Sequence, residues 1–294
     1  RLIAGRDAGD VEGISAALEA QGVGPGPMSA VEMAQWDVIG RKANLPLWSL
    51  LGGRVRDRVD FCGCLGLKAP SESATTARAY VDRWGFRYIK TKAGDSAAQD
   101  LRIAEAVQAE VEGAATLRPD ANAGYSPEQA LDVLRRMKDL GVTHFEDPCS
   151  PENTDTLATI RRDIGTTILV NMGVSKSDKV TDLLVHDAAD YLMPDTRSAG
   201  GILRVRKVAA TAEAFGVRCL MHCSHDLGLK TAAVAHIAAA TPNFSGPNDT
   251  CYHGLIDDVL HRKLVFENGQ LEVPGGPGLG VDIDEAKLER YASR

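Results

Sequence analysis

Short apolar or β-branched runs that end in polar residues alternate along this chain with longer stretches whose apolar positions recur at helical spacing. From about residue 57 the strand-like run occurs eight times, as "RVDFCGC", "RYIKTK", "ATLRPDAN", "THFEDP", "TILVNM", "DYLMPD", "VRCLMH" and "FSGPND". Their polar ends fall near residues 64, 92, 120, 146, 171, 195, 222 and 249, giving successive intervals of 28, 28, 26, 25, 24, 27 and 27. An even period of that length is one strand-helix unit. Eight such units predict an α/β fold closed into a barrel, since no G-x-G-x-x-G follows an early strand as an open dinucleotide-binding sheet would have.

The flanks read differently. Residues 9–42 give two amphipathic helices, "DAGDVEGISAALEAQG" and "SAVEMAQWDVIGRKAN", the second opened by Ser29 with Glu32 three residues on, a capping-box pattern. No strand accompanies them. The tail carries Asn268-Gly269, a turn signal between two strand-like runs, then a Gly/Pro-rich stretch expected to pack beside the N-terminal helices. The division is 1–56 for a capping part, 57–260 for the barrel and 261–294 for a segment returning to the cap. The chain opens on "RLIAGRD", which reads as mid-protein, so a preceding piece is expected.

The chain has 294 residues, is 44% hydrophobic and carries a net charge of −7. That acidic balance argues against nucleic acid or an anionic membrane as main partner. No apolar run approaches the ~20 residues that span a bilayer and no leader pattern opens the sequence, so a cytoplasmic protein is expected. Six cysteines (Cys62, Cys64, Cys149, Cys219, Cys223, Cys251) form no C-x-x-C pair, which fits a reduced compartment and small core or strand residues.

In such a barrel chemistry sits at the C-terminal ends of the strands. Those ends carry Lys90 and Lys92, Asp120 and Asn122, Glu146, Asn171, Asp195, His222 and Asp249. Taken singly, Asp120 is equally a turn residue, Glu146 a helix-start acid and Asn171 a turn residue. Together on neighbouring strands, Asp120, Glu146 and Asn171 offer three oxygens suited to a hard cation, Mg²⁺. Asp195 can orient His222 as a general acid/base. Of the two lysines on one strand face, each is expected to destabilise the other's ammonium, so that Lys92 serves as a base and Lys90 binds a developing oxyanion or a substrate carboxylate. His225 is placed past the strand, His236 in a satisfied core role, and His144, His186, His253 and His261 in surface or structural roles.

With "AQWDVIGRKANLPLWSLLGG", K-x-K at Lys90 and Lys92, D-x-N at Asp120 and Asn122, "FEDPC", "PDTRSAGGI" and "LMHCSH", the sequence resembles the enolase superfamily, on its mandelate racemase and glucarate dehydratase side. The resemblance runs over essentially the whole chain. It implies a modified TIM barrel, (β/α)7β, with a small α+β capping domain whose N-terminal antiparallel sheet is expected to be missing from this sequence. It implies Mg²⁺ held by Asp120, Glu146 and Asn171, Lys92 as one base and the Asp195–His222 dyad as the other on the opposite face. Asn122, Asp249 and Ser224 are assigned to binding a small carboxylate substrate, and a homo-oligomer is expected.

Within the family, the muconate-lactonizing branch has a lysine at the position of Asp195, which counts against that branch. Asn171-Met172 resembles the glucarate dehydratases, whereas Ser224 stands where they carry asparagine. The implied reaction is removal of the proton α to a carboxylate, followed by loss of water from an acid sugar (aldarate or aldonate) to give a 2-keto acid. The alternative is return of the proton to the other face, as a racemase or epimerase. A non-catalytic homologue that binds metal and ligand is a third reading. A two-metal hydrolase would need H-x-H on the first strand, which "RVDFCGC" lacks.

Overall fold

The computed structural model describes residues 2–292. Eight parallel strands follow one another as β1 (Arg58–Cys64), β2 (Tyr88–Lys92), β3 (Thr116–Asp120), β4 (His144–Glu146), β5 (Thr167–Val170), β6 (Tyr191–Leu192), β7 (Arg218–Cys219) and β8 (Asn248–Thr250). They pair in sequence order from β1 to β7, and β8 returns to pair with β1. The ring closes between β7 and β8 through the Cys219–Phe244 bridge and the Asp249 N–H donating to the Met221 carbonyl at 2.9 Å. With helices between the strands, this is a modified TIM barrel, as the even spacing predicts.

Two strands are shorter than their sequence runs. In "DYLMPD" and "VRCLMH" regular pairing stops at Leu192 and Cys219 because Pro194 has no N–H to continue the ladder. Single bonds carry it on: the Met193 N–H donates to Val170 O at 2.8 Å and the His222 N–H to Pro194 O at 3.0 Å. The eighth strand lies four residues later than its run begins, at Asn248 rather than Phe244.

The core fills both the barrel and the layer beneath its helices. Phe61, Ile89, Leu117 and Ile168 from the strands and Leu134, Leu157 and Ile160 from the helices are at most 2% exposed. Each such side chain contributes about 1.5–3 kcal/mol relative to leaving it in water.

Before β1 the described residues hold helices only, including α1 (Val11–Ala20) and α2 (Pro25–Ala43). Helix α2 begins four residues before the expected cap. Gly24 occupies the cap and Pro25 the first helical position, where its fixed φ and missing N–H cost nothing. Ser29 therefore lies inside the helix with its hydroxyl buried and unpartnered, and Glu32 accepts from Trp36 Nε1 and from the Leu203 N–H instead of closing a capping box.

The tail splits in two. Strands β9 (Phe266–Glu267) and β10 (Gln270–Glu272) form the expected hairpin, with Asn268 and Gly269 both at positive φ (53° and 71°), and β10 pairs antiparallel with β1. Beyond it Gly278 exchanges backbone bonds with Leu45 and Leu47, and Arg41 of α2 donates to Val281 O at 2.7 Å. So the hairpin belongs to the barrel's edge and only the following stretch meets α2.

Candidate functional site

Parallel pairing places Lys90 beside Arg118, Lys92 beside Asp120, and Asp120 beside Glu146, all at one rim of the barrel. Laterally paired residues share a face, so the rim becomes a ring of interleaved acids and bases.

Lys90 is enclosed by carboxylates. Its Nζ lies 2.5 Å from Glu146 Oε1 and 3.0 Å from both Asp120 Oδ2 and Asp249 Oδ2, with the side chain 3% exposed. Burial alone would lower its pKa, but the Asp249, Glu146 and Asp120 carboxylates raise it well above the ordinary lysine value. The expected destabilisation by Lys92 is thus reversed, because each lysine meets acids before it meets the other. Lys92 Nζ donates to Asp120 Oδ2 at 2.6 Å and to Asn122 Oδ1 at 2.8 Å, and its side chain is 37% exposed. Both lysines border one small cavity, and Lys92 is the more exposed of the two.

Asp120, Glu146 and Asp147 each offer a carboxylate oxygen within 4.8 Å of one another. Counting Asp249, four carboxylates face the three cations Lys90, Lys92 and Arg118. Burial pushes Glu146 up to about 8, with Lys90 pulling down and Asp120 and Asp249 pushing up. Burial and then Asp120 push Asp147 up to about 7. Glu146 Oε2 is buried without a hydrogen-bond partner, since Arg118 Nε at 3.4 Å has the wrong geometry to donate.

Asn171 stands just beyond β5, joined to the cluster through Asp147. Its Nδ2 donates to Met193 O at 2.8 Å, which leaves the amide oxygen for another partner, and its backbone N–H donates to Asp147 Oδ1 at 3.0 Å. An all-oxygen donor set, an orphaned carboxylate oxygen and excess negative charge fit a hard divalent cation.

The second half of the site stands just beyond β6 and β7. His222 Nδ1 lies 3.2 Å from Asp195 Oδ2, which also accepts from Ser224 Oγ at 3.0 Å. The other oxygen, Oδ1, accepts from Lys230 Nζ and from the Arg197 N–H, both at 2.7 Å. Burial would raise the Asp195 carboxyl, but the His222 hydrogen bond and the Lys230 ammonium hold it far below the usual carboxylate range. Burial would lower His222, and the Asp195 contact raises it instead.

His222, Asp195, Ser224, Asn171 and Lys230 line a cavity of about 810 Å³ whose opposite wall is Gly24–Pro27, Ala30 and Met33 of α2. His225 lies off the strand at φ 60° beside a smaller cavity, which Lys92, His222 and Asp249 also line. His236 is a satisfied core residue: its Nδ1 accepts from the Trp48 N–H at 3.2 Å and its Nε2 lies 3.0 Å from Leu279 O. His253 is buried among Tyr80, Trp84 and Phe86.

Residues 72–287 match the family model described as enolase C-terminal domain-like, and residues 1–52 match that of the mandelate racemase / muconate lactonizing enzyme N-terminal domain. The chain belongs to the enolase superfamily, in its mandelate racemase/muconate lactonizing branch. Among its relatives is a probable glucarate dehydratase of Streptomyces coelicolor, 29% identical over 95% of this chain and 68% of that one. An L-Ala-D/L-Glu epimerase of Bacillus subtilis is 31% identical over 86% of this chain and 69% of that one. The crystal structure of a 2-chloromuconate cycloisomerase from Rhodococcus opacus superposes with a TM-score of 0.93 at 29% identity, over 99% of this chain and 81% of that one. Enolase-superfamily proteins of this branch are generally metal-dependent enzymes, acting on small carboxylates.

Three residues of this cluster were not singled out from the sequence. Arg118 sits two before Asp120, and the same alternation that paired the lysines could have found it. Asp147, next to Glu146, is hidden because neighbours on a strand normally face opposite ways. Here the chain turns at Asp147 (φ 41°) and brings its carboxylate round to the Asn171 and Met172 N–H groups. Lys230 lies on the apolar helix Gly228–Ala240, where a buried lysine was the available signal.

Proposed function

We propose that this chain catalyses Mg²⁺-dependent removal of the α-proton of a carboxylate substrate, with dehydration of an acid sugar (aldarate or aldonate) to a 2-keto acid as its reaction. Asp120, Glu146 and Asn171 would hold the cation, with Asp147 anchoring the Asn171 backbone. When bound, Mg²⁺ supplies the positive charge that makes the α-carbon acidic and stabilises the enediolate.

Lys92 takes the proton from the α-carbon, and the C–H electrons pass into the carboxylate to form the enediolate. His222, charged and held by Asp195, gives its proton to the β-hydroxyl, which leaves as water while the enediolate electrons form the new double bond. The resulting enol becomes the 2-keto acid. Lys90 and Arg118 position Glu146 and Asp249, and Asn122, Ser224 and Asp249 hold the substrate.

One observation supports this reading above the others: a part-exposed lysine at the end of β2 and an aspartate-bound histidine just beyond β7 stand three strands apart one way round the ring and five the other, with the carboxylate cluster between them. The Asn171-Met172 pair favours dehydration over simple inversion. Incubation with Mg²⁺ and a panel of aldarates and aldonates should yield a keto acid. Configurational exchange without loss of water would replace the dehydratase by an epimerase, and no α-proton exchange in deuterated water with any acid would overturn both.

A further inference from the structure

The six cysteines are all free, yet they are not equally placed. Cys62, Cys149 and Cys219 are at most 1% exposed. Cys64 ends β1, Cys223 follows His222 beyond β7, and Cys251 follows β8, so three consecutive members of the ring each present one thiol at the same level. The Cys223 and Cys251 sulfurs are 3.9 Å apart, and all three sulfurs lie within 4.8 Å of one another. They share a cavity of about 180 Å³ with Lys92, His222 and Asp249, so the group is reachable.

We propose that Cys64, Cys223 and Cys251 form a binding site for one soft, thiophilic cation of the Zn²⁺, Cd²⁺ or Cu⁺ class, distinct from the oxygen-lined site of Asp120 and Glu146. The separation of the sulfurs carries this. A metal–sulfur bond of about 2.3 Å gives sulfur–sulfur edges of about 3.8 Å in a tetrahedron and about 4.0 Å in a plane trigonal site. The Cys223–Cys251 distance falls between those values, and the Cys64 sulfur lies within 4.8 Å of both. A water in the cavity supplies a fourth ligand, since both oxygens of the nearby Asp249 carboxylate are held by Lys90 and Arg118. Thiolate donors select soft cations where the carboxylates nearby select hard ones, and each thiol releases its proton to solvent on binding. The inference stands independently of the reaction proposed above.

Cadmium is the probe, added to fully reduced protein under anaerobic conditions in excess Mg²⁺, after a thiol count of six in denaturant. One equivalent should bind with the ultraviolet charge-transfer band of cadmium thiolate. Cys223→Ser and Cys251→Ser should each weaken binding at least about tenfold and diminish the band, whereas Cys149→Ser should leave both unchanged. Absence of the band, its persistence in the two serine variants, or displacement of cadmium by Mg²⁺ would overturn the proposal. A second readout needs no variant: cadmium should shield Cys223 and Cys251 from iodoacetamide, and undiminished labelling at saturating cadmium would be equally fatal.

Discussion

Lys90 and Lys92 sit two residues apart on one strand, and the structure gives them opposite surroundings. Lys90 is held among three buried carboxylates, while Lys92 meets only Asp120 and Asn122 and is far more exposed. Lys92→Ala should therefore reduce α-proton exchange into deuterated water, and His222→Asn the loss of water to the keto acid, each by about 10²–10⁴-fold, the usual loss for a general acid or base. Unchanged exchange in the first variant or unchanged keto-acid formation in the second would remove that residue from the chemistry. Lys90→Met should act on folding instead, because it strands Glu146 and Asp249 in the interior. The strand-end acids and bases were legible as types from the sequence. Their pairings were not, since which acid meets which lysine depends on register between strands some 28 residues apart.

The two core histidines show how burial sets a charge state. Burial pushes both His236 and His253 down to about 4, below the ordinary imidazole value. The unfolded chain then binds more protons than the folded one between pH 4 and 6.5. Their contribution is fully present above 6.5 and lost as pH falls toward 4, roughly 2 kcal/mol per histidine by pH 5. Urea midpoints at pH 7 and pH 5 measure it, and His236→Gln should shrink the difference.

Among elements, strand positions followed from the apolar runs because each run must face both the barrel interior and the covering helices. The start of α2 did not, since "GPGP" reads as a turn and only tertiary context makes Pro25 a first helical residue. That helix is pinned to the tail by glycines: a Cβ on Gly40 would lie 2.6 Å from the Gly278 backbone. Gly40→Ala should cost on the order of 1–3 kcal/mol and lower the melting temperature, with Gly22→Ala, which meets open space but has a positive φ, showing the backbone effect alone.

For the molecule as a whole, closure of eight strands brings residues from positions 90 to 249 onto one rim that carries more negative than positive groups. A cation that binds only the folded form stabilises it, by about 2.7 kcal/mol at a hundred times its dissociation constant. Saturating Mg²⁺ should thus raise the melting temperature on the order of 5 °C over a chelator control, and Glu146→Gln should abolish the rise. No helix among the described residues is long and apolar enough to cross a membrane. The strand-end residues could be read from periodicity, but the convergence of three thiols could not, because the period puts each cysteine near a strand end without fixing where its sulfur points.

The larger cavity has one wall, Gly24 to Met33, that brings to it no acid and no base, while each ionisable group facing it is fixed to the barrel or the loops and helices that follow its strands. Shape and reactivity are thereby written on separate stretches of the chain. Lineages sharing this scaffold can trade one acid for another by redrawing ten residues near the start, leaving the proton-handling apparatus as it was.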